Sequence, residues 1–149
     1  NEYQFKPIYE ISISNVDKSK IEFKDLLIRI NQFKSLGKLV ITNSANFREK
    51  SFIFKKSIFV IGYDTALRLI EKKYYKNDIE MAFKDIKKNG CYFLVAGRFI
   101  NNKYNNASTI DFNEFKKFFY ILTEEKFRLD ISSSQLRSQF SSENDKSAA

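Results

Sequence analysis

Three consecutive serines and an arginine one turn further on form the segment of this sequence best suited to bind a phosphate group. Ser132, Ser133 and Ser134 stand where the sequence predicts the start of a helix, and Arg137 follows at the same end of that helix. A helix N-terminus exposes free backbone N–H groups and the positive end of the helix dipole, to which hydroxyl and guanidinium groups add further donors. Taken alone, these residues are more typical of an ordinary serine-capped helix that runs into a polar tail. Whether they form a phosphate site therefore depends on the other motifs of the sequence.

Glycine and charged residues follow two of the strands that the sequence predicts. Gly62 and Asp64 come after one strand, and Gly97 and Arg98 come directly after another. Glycine lets a ligand approach the backbone closely, an aspartate can accept hydrogen bonds from ribose hydroxyls or an amide, and an arginine can hold a phosphate with its planar fork. Two alternatives stay open here, because Asp64 is equally typical of a helix N-cap and Arg98 of a surface ion pair.

A hydroxyl and a lysine come from a third predicted strand and the helix after it. Thr42 follows the short strand from Lys38 to Ile41, and Lys50 lies on a helix that Asn46 and Glu49 are predicted to cap. Lys50 could point at the same site, but a solvated lysine is the preferred interpretation, because lysines are mostly exposed. Of these two residues, only Thr42 is therefore counted among the candidate nucleotide-binding residues.

Alternating strands and helices would bring these candidates together. Alternation of apolar and polar residues predicts a strand at Tyr9–Ser14, and apolar or β-branched segments predict strands at Lys38–Ile41, Ser57–Ile61 and Cys91–Ala96. Capping residues followed by amphipathic segments predict helices after Ser19, Asn46, Asp64, Asp78 and Asp111. This alternation predicts an α/β domain with a mainly parallel sheet and right-handed crossovers. Because ligands bind outside the carboxyl ends of the strands in such sheets, the polar residues after the strands are expected to converge there.

The same patterns predict which residues are buried. The unbroken apolar strand Cys91–Ala96 is typical of a strand buried on both faces. Inward faces are predicted on three helices: Phe23, Leu26, Leu27, Ile30 and Phe33; Leu67, Ile70 and Tyr74; and Ile79, Ala82, Phe83 and Ile86. Tyr74–Tyr75 and the stripe Phe112–Phe119 are interpreted as core rather than as a platform for a base. The asparagine-rich segment Asn101–Ser108 is predicted as a loop.

Composition limits the classes to which this chain can belong. With 149 residues, of which 43% are hydrophobic, it can form one domain with a proper core, predicted at residues 1–137, before a disordered polar tail at 138–149. The chain contains no histidine, which excludes a Ser-His-Asp or Cys-His site and the common histidine-bearing metal sites within these residues. The formal charge of +8 is spread along the chain as on a solvated surface, so it is discounted as a functional signal.

The expected compartment follows from the cysteine content and the apolar runs. The single cysteine, Cys91, cannot form an internal disulfide, which favours a reduced, intracellular and hence cytoplasmic location. No apolar run approaches the roughly 18 residues of a membrane span, and no signal peptide is recognisable. A membrane is therefore not expected among the partners of this chain.

Three motifs occur in a characteristic order. A strand ending in G-x-D (Phe59–Ala66), a strand ending in G-R (Phe93–Arg98) and an I-S-S-S-x-L-R helix start (Ile131–Arg137) follow one another. This order resembles the nucleotidylyltransferase superfamily with the H-x-G-H motif, and within it the nicotinamide mononucleotide adenylyltransferase-like or cytidylyltransferase-like proteins. The stretch Ala45–Lys50 is similar to the F-x-x-K segment of one subgroup. The resemblance covers the chain from about Ile8 to Arg137.

The resemblance implies a fold and a reaction. The fold would be a Rossmann-like three-layer α/β/α sandwich with a mainly parallel sheet. In the reaction, the phosphate of a mononucleotide resembling nicotinamide mononucleotide attacks the α-phosphate of ATP or CTP and releases pyrophosphate. No covalent enzyme intermediate is needed, and Mg²⁺ bound through the substrate phosphates is the implied cofactor.

The resemblance also assigns roles to the candidate residues. Gly62 and Asp64 would contact a nucleoside ribose. The helix start at Ser132, with the hydroxyls of Ser133 and Ser134, would hold the β- and γ-phosphates, and Arg137 would neutralise the leaving pyrophosphate. Arg98 is a weaker candidate for the same cluster, and Gly97 and Thr42 complete the expected nucleotide site.

One departure from the family pattern leaves alternatives open. The H-x-G-H motif, which lies in the first βα unit of that family, is absent from this chain, which begins at Asn1. The sequence therefore predicts a fragment that lacks its first βα unit and is inactive alone, with a missing N-terminal segment or a homo-oligomer completing it. The alternative is a catalytically inactive relative with a structural or partner-binding role in a larger assembly. Nucleic-acid binding, suggested by the charge alone, is a distant third hypothesis.

Overall fold

The computed structural model describes residues 6–14, 20–75, 78–100 and 103–126. These residues form two compact units, one made of the described residues up to Lys56 together with Glu80–Gly90, the other of Ser57–Ile79 and the described residues from Cys91 onward. Helices and mainly parallel strands build both units, which confirms the predicted α/β class. No helix in this part of the chain is long and apolar enough to cross a membrane. The Ser132–Arg137 segment and the predicted tail lie outside the described residues.

The first unit contains a parallel pair of strands, β1 (Ile8–Ser12) and β2 (Lys38–Thr42). Helix α1 (Phe23–Gln32) connects them, as a crossover between parallel strands requires. The carboxyl ends of the two strands coincide, because Ser12 and Thr42 are partners in the register. Both strands appear within two residues of the predicted bounds.

Helix α1 does not bury the apolar face that its sequence pattern predicts. None of its residues is buried, and Phe23 and Leu27 are 74% and 46% exposed. The helix begins at Phe23 with Glu22 at the N-cap position and no side-chain cap, while the predicted capping residue Ser19 lies outside the described residues. The pattern predicts an amphipathic helix correctly, but its burial depends on packing partners that the local sequence does not encode.

Helices α2 (Phe47–Ile53) and α4 (Ile79–Lys88) confirm their sequence signals. The side chain of Asn46 accepts a hydrogen bond from the Glu49 backbone N–H at 3.0 Å, and the Glu49 carboxylate accepts one from the backbone N–H of residue 45 at 2.7 Å. Asn46 and Glu49 therefore cap the helix as predicted, although Glu49 accepts from the residue before the N-cap and not from the N-cap itself. The four predicted inward residues of α4 are all buried: Ile79, Ala82, Phe83 and Ile86. After α4, Gly90 adopts a positive φ of 68°, which stops the helix as predicted.

The second unit contains a three-stranded parallel sheet in the order β3 (Ile58–Gly62), β4 (Tyr92–Ala96) and β7 (Phe119–Leu122). Helix α3 (Tyr63–Leu69) starts directly after β3. Its buried residues are Ala66 and Leu69. The prediction that Leu67 points inward is wrong, since its side chain is exposed. Ala66 and Leu69 are three positions apart and share a helix face, whereas Leu67 lies about 100° away from Ala66.

The sequence did not predict a hairpin after β4. Strands β5 (Arg98–Ile100) and β6 (Lys103–Asn105) pair antiparallel, so the expected loop Asn101–Ser108 contains a strand and a 3₁₀ turn at Ala107–Thr109. A three-residue strand is too short to leave an alternation signal that a sequence pattern can detect. Its pairing with β5 defines it instead.

Aromatic residues from a 3₁₀ helix and the strand after it pack in the core of the second unit. A 3₁₀ helix at Asn113–Phe118 replaces the predicted α-helix, and Asp111 accepts a hydrogen bond from its first backbone N–H at 3.0 Å. The predicted core role of this stripe is confirmed, with Phe112 and Phe119 stacked at a centroid distance of 4.0 Å and both buried. Strand β7 begins at Phe119 itself and was not predicted, because it follows the stripe without a break.

The sheet of the second unit is covered on one face only. The side chains of Phe93 and Val95 on β4 are fully buried, whereas Tyr92, Val60 and Tyr120, which point to the other face, are exposed, Val60 to 70%. The prediction that this strand is buried on both faces is therefore wrong for the described part of the chain. An apolar run signals that a strand prefers burial, but covering both faces needs elements on both sides.

Candidate functional site

The carboxyl ends of β3 and β4 form the first candidate site. Gly62 and Ala96 are register partners at these ends, and α3 begins at the residue after Gly62. A Cβ atom at Gly62 would meet no atom within 4 Å, so the space beside this backbone is open. The structure thus leaves room for a group to approach the backbone at the position where the sequence predicted a nucleoside contact.

An ion pair joins the two strand ends in the second unit. The Arg98 guanidinium, at the start of β5, donates a hydrogen bond to the Asp64 carboxylate in the first turn of α3. The alternative that Asp64 is the N-cap of the helix is wrong, because Gly62 occupies that position. The alternative that Arg98 forms an ion pair is confirmed. The two side chains are 39% and 41% exposed, so solvent or a ligand can compete for either of them.

A second guanidinium lies beside this pair. The Arg68 Nε donates to the backbone carbonyl of Asp64 at 3.3 Å, and its Nη2 donates to the Thr65 hydroxyl at 3.5 Å. Arg68, Arg98 and Asp64 together carry two positive charges and one negative charge. Sequence reasoning missed Arg68, although its position four residues after Asp64 on one helix is a detectable signal.

A tyrosine occupies the space beside Gly97. A Cβ atom at this position would overlap the hydroxyl of Tyr104 and approach its Cε1 to 2.8 Å. Because Gly97 has no side chain, the Tyr104 ring from β6 fits beside its backbone. The sequence had predicted that a ligand approaches at this position. No sequence signal could have revealed this contact, because the β5–β6 hairpin that makes it was not predicted.

The carboxyl ends of β1 and β2 hold a separate polar cluster in the first unit. Thr42 is buried, and its hydroxyl donates a hydrogen bond to Oε1 of Glu10. The other carboxylate oxygen, Oε2, accepts from the Lys50 ammonium at 2.8 Å. The interpretation of Lys50 as a solvated lysine is wrong, since its side chain is only 13% exposed and is paired. Sequence reasoning also missed Glu10, because it occupies a polar position of an alternating segment and so gives no local sign of a buried ion pair.

Hydroxyl groups tie these two strand ends together. The Ser12 hydroxyl lies 2.6 Å from the Ser44 carbonyl and 2.7 Å from the Ser14 carbonyl, so it can donate to either. The Ser14 hydroxyl donates to the side-chain oxygen of Asn43. Side-chain hydrogen bonds thus continue beyond the last backbone pair of the strands and hold the Glu10–Thr42 region in place.

The predicted site residues divide into three groups. Gly62, Asp64, Gly97 and Arg98 lie together at the carboxyl ends of β3 and β4, and Thr42 belongs to the first unit. The remaining four lie outside the described residues: Ser132, Ser133, Ser134 and Arg137. Within residues 6–14, 20–75, 78–100 and 103–126, no three His, Cys, Asp or Glu side chains come together as a metal site. A Mg²⁺ ion held through substrate phosphates requires no such cage.

Comparison with known proteins identifies no relative. No protein-family model, no curated protein and no solved structure matches this chain.

Proposed function

We propose that this chain is the larger part of a nucleotidylyltransferase that transfers AMP or CMP from a nucleoside triphosphate to the phosphate of a mononucleotide and releases pyrophosphate. The acceptor would resemble nicotinamide mononucleotide. The observation that carries the proposal is the Asp64–Arg98 ion pair. It joins the G-x-D end of β3 to the G-R that follows β4, so two of the three ordered motifs meet within one unit.

The chemistry of this site fits a nucleotide. The Asp64 carboxylate can accept hydrogen bonds from ribose hydroxyls, and the open space beside Gly62 leaves room for the sugar. Arg98 and Arg68 can stabilise negative charge on phosphate oxygens, the main requirement in phosphoryl and nucleotidyl transfer. Because the Asp64–Arg98 pair is partly exposed, Arg98 can exchange the carboxylate for a phosphate at small cost. Mg²⁺ bound to the phosphates would neutralise further charge.

The strand order within each unit also supports a Rossmann-like fold. In the doubly wound order 3-2-1-4-5-6, the first strand neighbours both the second and the fourth. The first unit pairs β1 with β2, and the second has the order β3-β4-β7, as expected for the second to sixth strands.

Nucleotide binding and turnover are the two readouts that test the proposal. ATP and CTP are titrated calorimetrically against the chain, and pyrophosphate release is measured with the chain joined to the segment that its coding sequence places upstream. We expect binding of one nucleotide, and an Arg98→Ala variant should weaken it about tenfold, as loss of a charge-assisted contact does. Lys103→Ala, an exposed lysine on β6, is the matched control. Absence of binding to both nucleotides would contradict the proposal.

A second candidate function is a catalytically inactive nucleotidylyltransferase-like domain that binds a partner in a larger assembly. The observation that favours it is the exposed apolar face of the β3-β4-β7 sheet, with Val60, Tyr92 and Tyr120 uncovered in the described chain. Nucleotide binding without pyrophosphate release, when the upstream segment is present and a range of mononucleotides is supplied, would favour this candidate over the transferase.

A further inference from the structure

A charged side chain lies on one face of β1. Glu10 lies in the middle of this five-residue strand, between Tyr9 and Ile11. Side chains alternate between the faces of a strand, so Glu10 shares its face with Ser12 and, through the register, with Thr42 on β2. The carboxyl half of this face is therefore polar, although strands of a parallel sheet are normally apolar on both faces.

Two partners hold the Glu10 carboxylate. Thr42 donates to one oxygen, and the Lys50 ammonium donates to the other at 2.8 Å. The Lys50 and Glu10 side chains are only 13% and 20% exposed. Lys50 also lies over the ring of Phe47, with 5.2 Å between its Nζ and the ring centroid. A lysine that would otherwise be flexible is thus fixed by a strand, a capped helix and an aromatic ring.

Stability alone does not account for this arrangement. A largely buried ion pair loses the hydration of both charges, and apolar residues of similar volume often stabilise a fold as well or better. Charges that break a local packing rule without a gain in stability are expected at functional sites. The position agrees, because the carboxyl ends of parallel strands are where α/β sheets bind ligands.

The ammonium group retains donors for a ligand. Lys50 has three N–H bonds and uses one of them for Glu10. In protein kinases, a glutamate holds a lysine in the same way so that the lysine can contact the phosphates of the nucleotide. The Lys50–Glu10 pair has the features this role requires, namely a fixed ammonium, partial exposure and a position at strand ends.

We propose that Lys50, oriented by Glu10 and Thr42, binds a phosphate group of a phosphorylated ligand at the carboxyl ends of β1 and β2. The identification of that ligand as the acceptor mononucleotide rests on the function proposed above. Lys50 supplies a positive charge and directed N–H donors to the phosphate oxygens, while Glu10 keeps the ammonium in place and is a positioning residue.

The test observes the Lys50 ammonium directly. The full chain is labelled with ¹⁵N- and ¹³C-lysine, and the Lys50 side-chain resonance is assigned by its absence from the spectrum of Lys50→Arg. Inorganic phosphate and then adenosine 5′-monophosphate are titrated in. We expect the Lys50 resonance to shift and saturate with both probes, while that of Lys38, an exposed lysine on β2, stays constant.

Variants separate a binding role from a structural one. Lys50→Met alone leaves Glu10 unpaired and can unfold the unit, so the Glu10→Gln/Lys50→Met double variant is used, which removes both charges together. We expect it to fold and to bind phosphate about tenfold more weakly than the wild type, as loss of a charged hydrogen bond does. Lys38→Met, the matched control, should bind like the wild type.

Two results would overturn the inference: a Lys50 resonance that does not respond to either probe, or a double variant that binds phosphate as the wild type does. Each failure is distinguishable from failure of the transferase proposal. Nucleotidyl transfer that persists unchanged in the double variant would show that the ligand of Lys50 is not the acceptor mononucleotide, while the transferase proposal stands. If the Lys50 resonance shifts in a protein that binds neither ATP nor CTP, the transferase proposal is contradicted and the phosphate site at Lys50 is supported.

Discussion

The two candidate regions each contain one ion pair at the end of parallel strands, and the pairs differ in burial. In the first unit, Lys50 and Glu10 are 13% and 20% exposed and Thr42 holds the carboxylate as well. In the second, Arg98 and Asp64 are 39% and 41% exposed. A buried pair is costly to break and fixes its groups, whereas an exposed pair contributes little and exchanges partners readily. The comparison predicts a rigid site in one unit and an adaptable site in the other.

Removing one partner of the buried pair should have the largest effect. Lys50→Met leaves the Glu10 carboxylate without its counter-ion in a largely buried place, so we expect the free energy of unfolding to fall by about 3 kcal/mol. Urea denaturation followed by circular dichroism measures this loss. The double variant Glu10→Gln/Lys50→Met should recover most of it, because no unpaired charge remains. A loss below about 1 kcal/mol in the single variant would mean that the Lys50–Glu10 pair contributes as little to stability as an exposed pair does.

The sequence correctly predicted those features that depend only on residues close together in the chain. The helix cap made by Asn46 and Glu49 and the glycine stop at Gly90 both formed as expected, since each involves residues within about one turn. The inward face of α4 was also correct. Such features need only the residues that form them.

Features that depend on distant residues were not predictable. Lys50 looked like a solvated lysine because its partner Glu10 lies 40 positions earlier in the chain. The ion pair of Arg98 with Asp64 was only one of two open alternatives, and the contact of Tyr104 with Gly97 requires a hairpin that left no periodic signal. A sequence pattern gives the preference of a residue for burial or charge, and the fold then selects its partner.

The free energy of unfolding should also depend on alkaline pH, because the second unit buries an ionisable phenol. The second unit buries Tyr75, and desolvation raises the pKa of its phenol above the ordinary value of 10. The folded state then keeps Tyr75 protonated while the unfolded state loses the proton. Stability from this group is therefore complete below pH 10 and falls above it, by at most about 1.4 kcal/mol per pH unit.

Urea unfolding between pH 9 and 11 tests this dependence. Tyr75→Phe should show a shallower decline above pH 10 than the wild type, because the variant has no phenol to ionise at this position. Tyr120→Phe, which changes an exposed tyrosine in the same unit, is the matched control and should follow the wild type. Equal slopes for the wild type and Tyr75→Phe would show that ionisation of this buried phenol does not limit stability.

Packing beside the exposed pair should be moderately sensitive. Gly97→Ala places a methyl group where the Tyr104 ring lies, so the ring must move, and we expect a loss of about 1 kcal/mol. In a Tyr104→Ala background the same substitution should cost much less, since the obstructing ring is gone. A double-mutant cycle on the free energy of unfolding measures this coupling. Additive effects would mean that Gly97 is required for a reason other than Tyr104.

Breaking the exposed pair should have the smallest effect on stability and a specific effect on binding. Arg98→Gln should lower the free energy of unfolding by less than about 1 kcal/mol, because water screens both charges. Arg48→Gln, whose guanidinium is equally exposed and pairs with Asp85 at 2.7 Å, is the matched control in the first unit. If the second site is the adaptable one, only Arg98→Gln weakens nucleotide binding in calorimetry, although both variants remain folded. A large loss of stability in Arg98→Gln would instead mean that this pair is as firmly fixed as the Lys50–Glu10 pair, and Arg98 could then not turn to a phosphate without disturbing the fold.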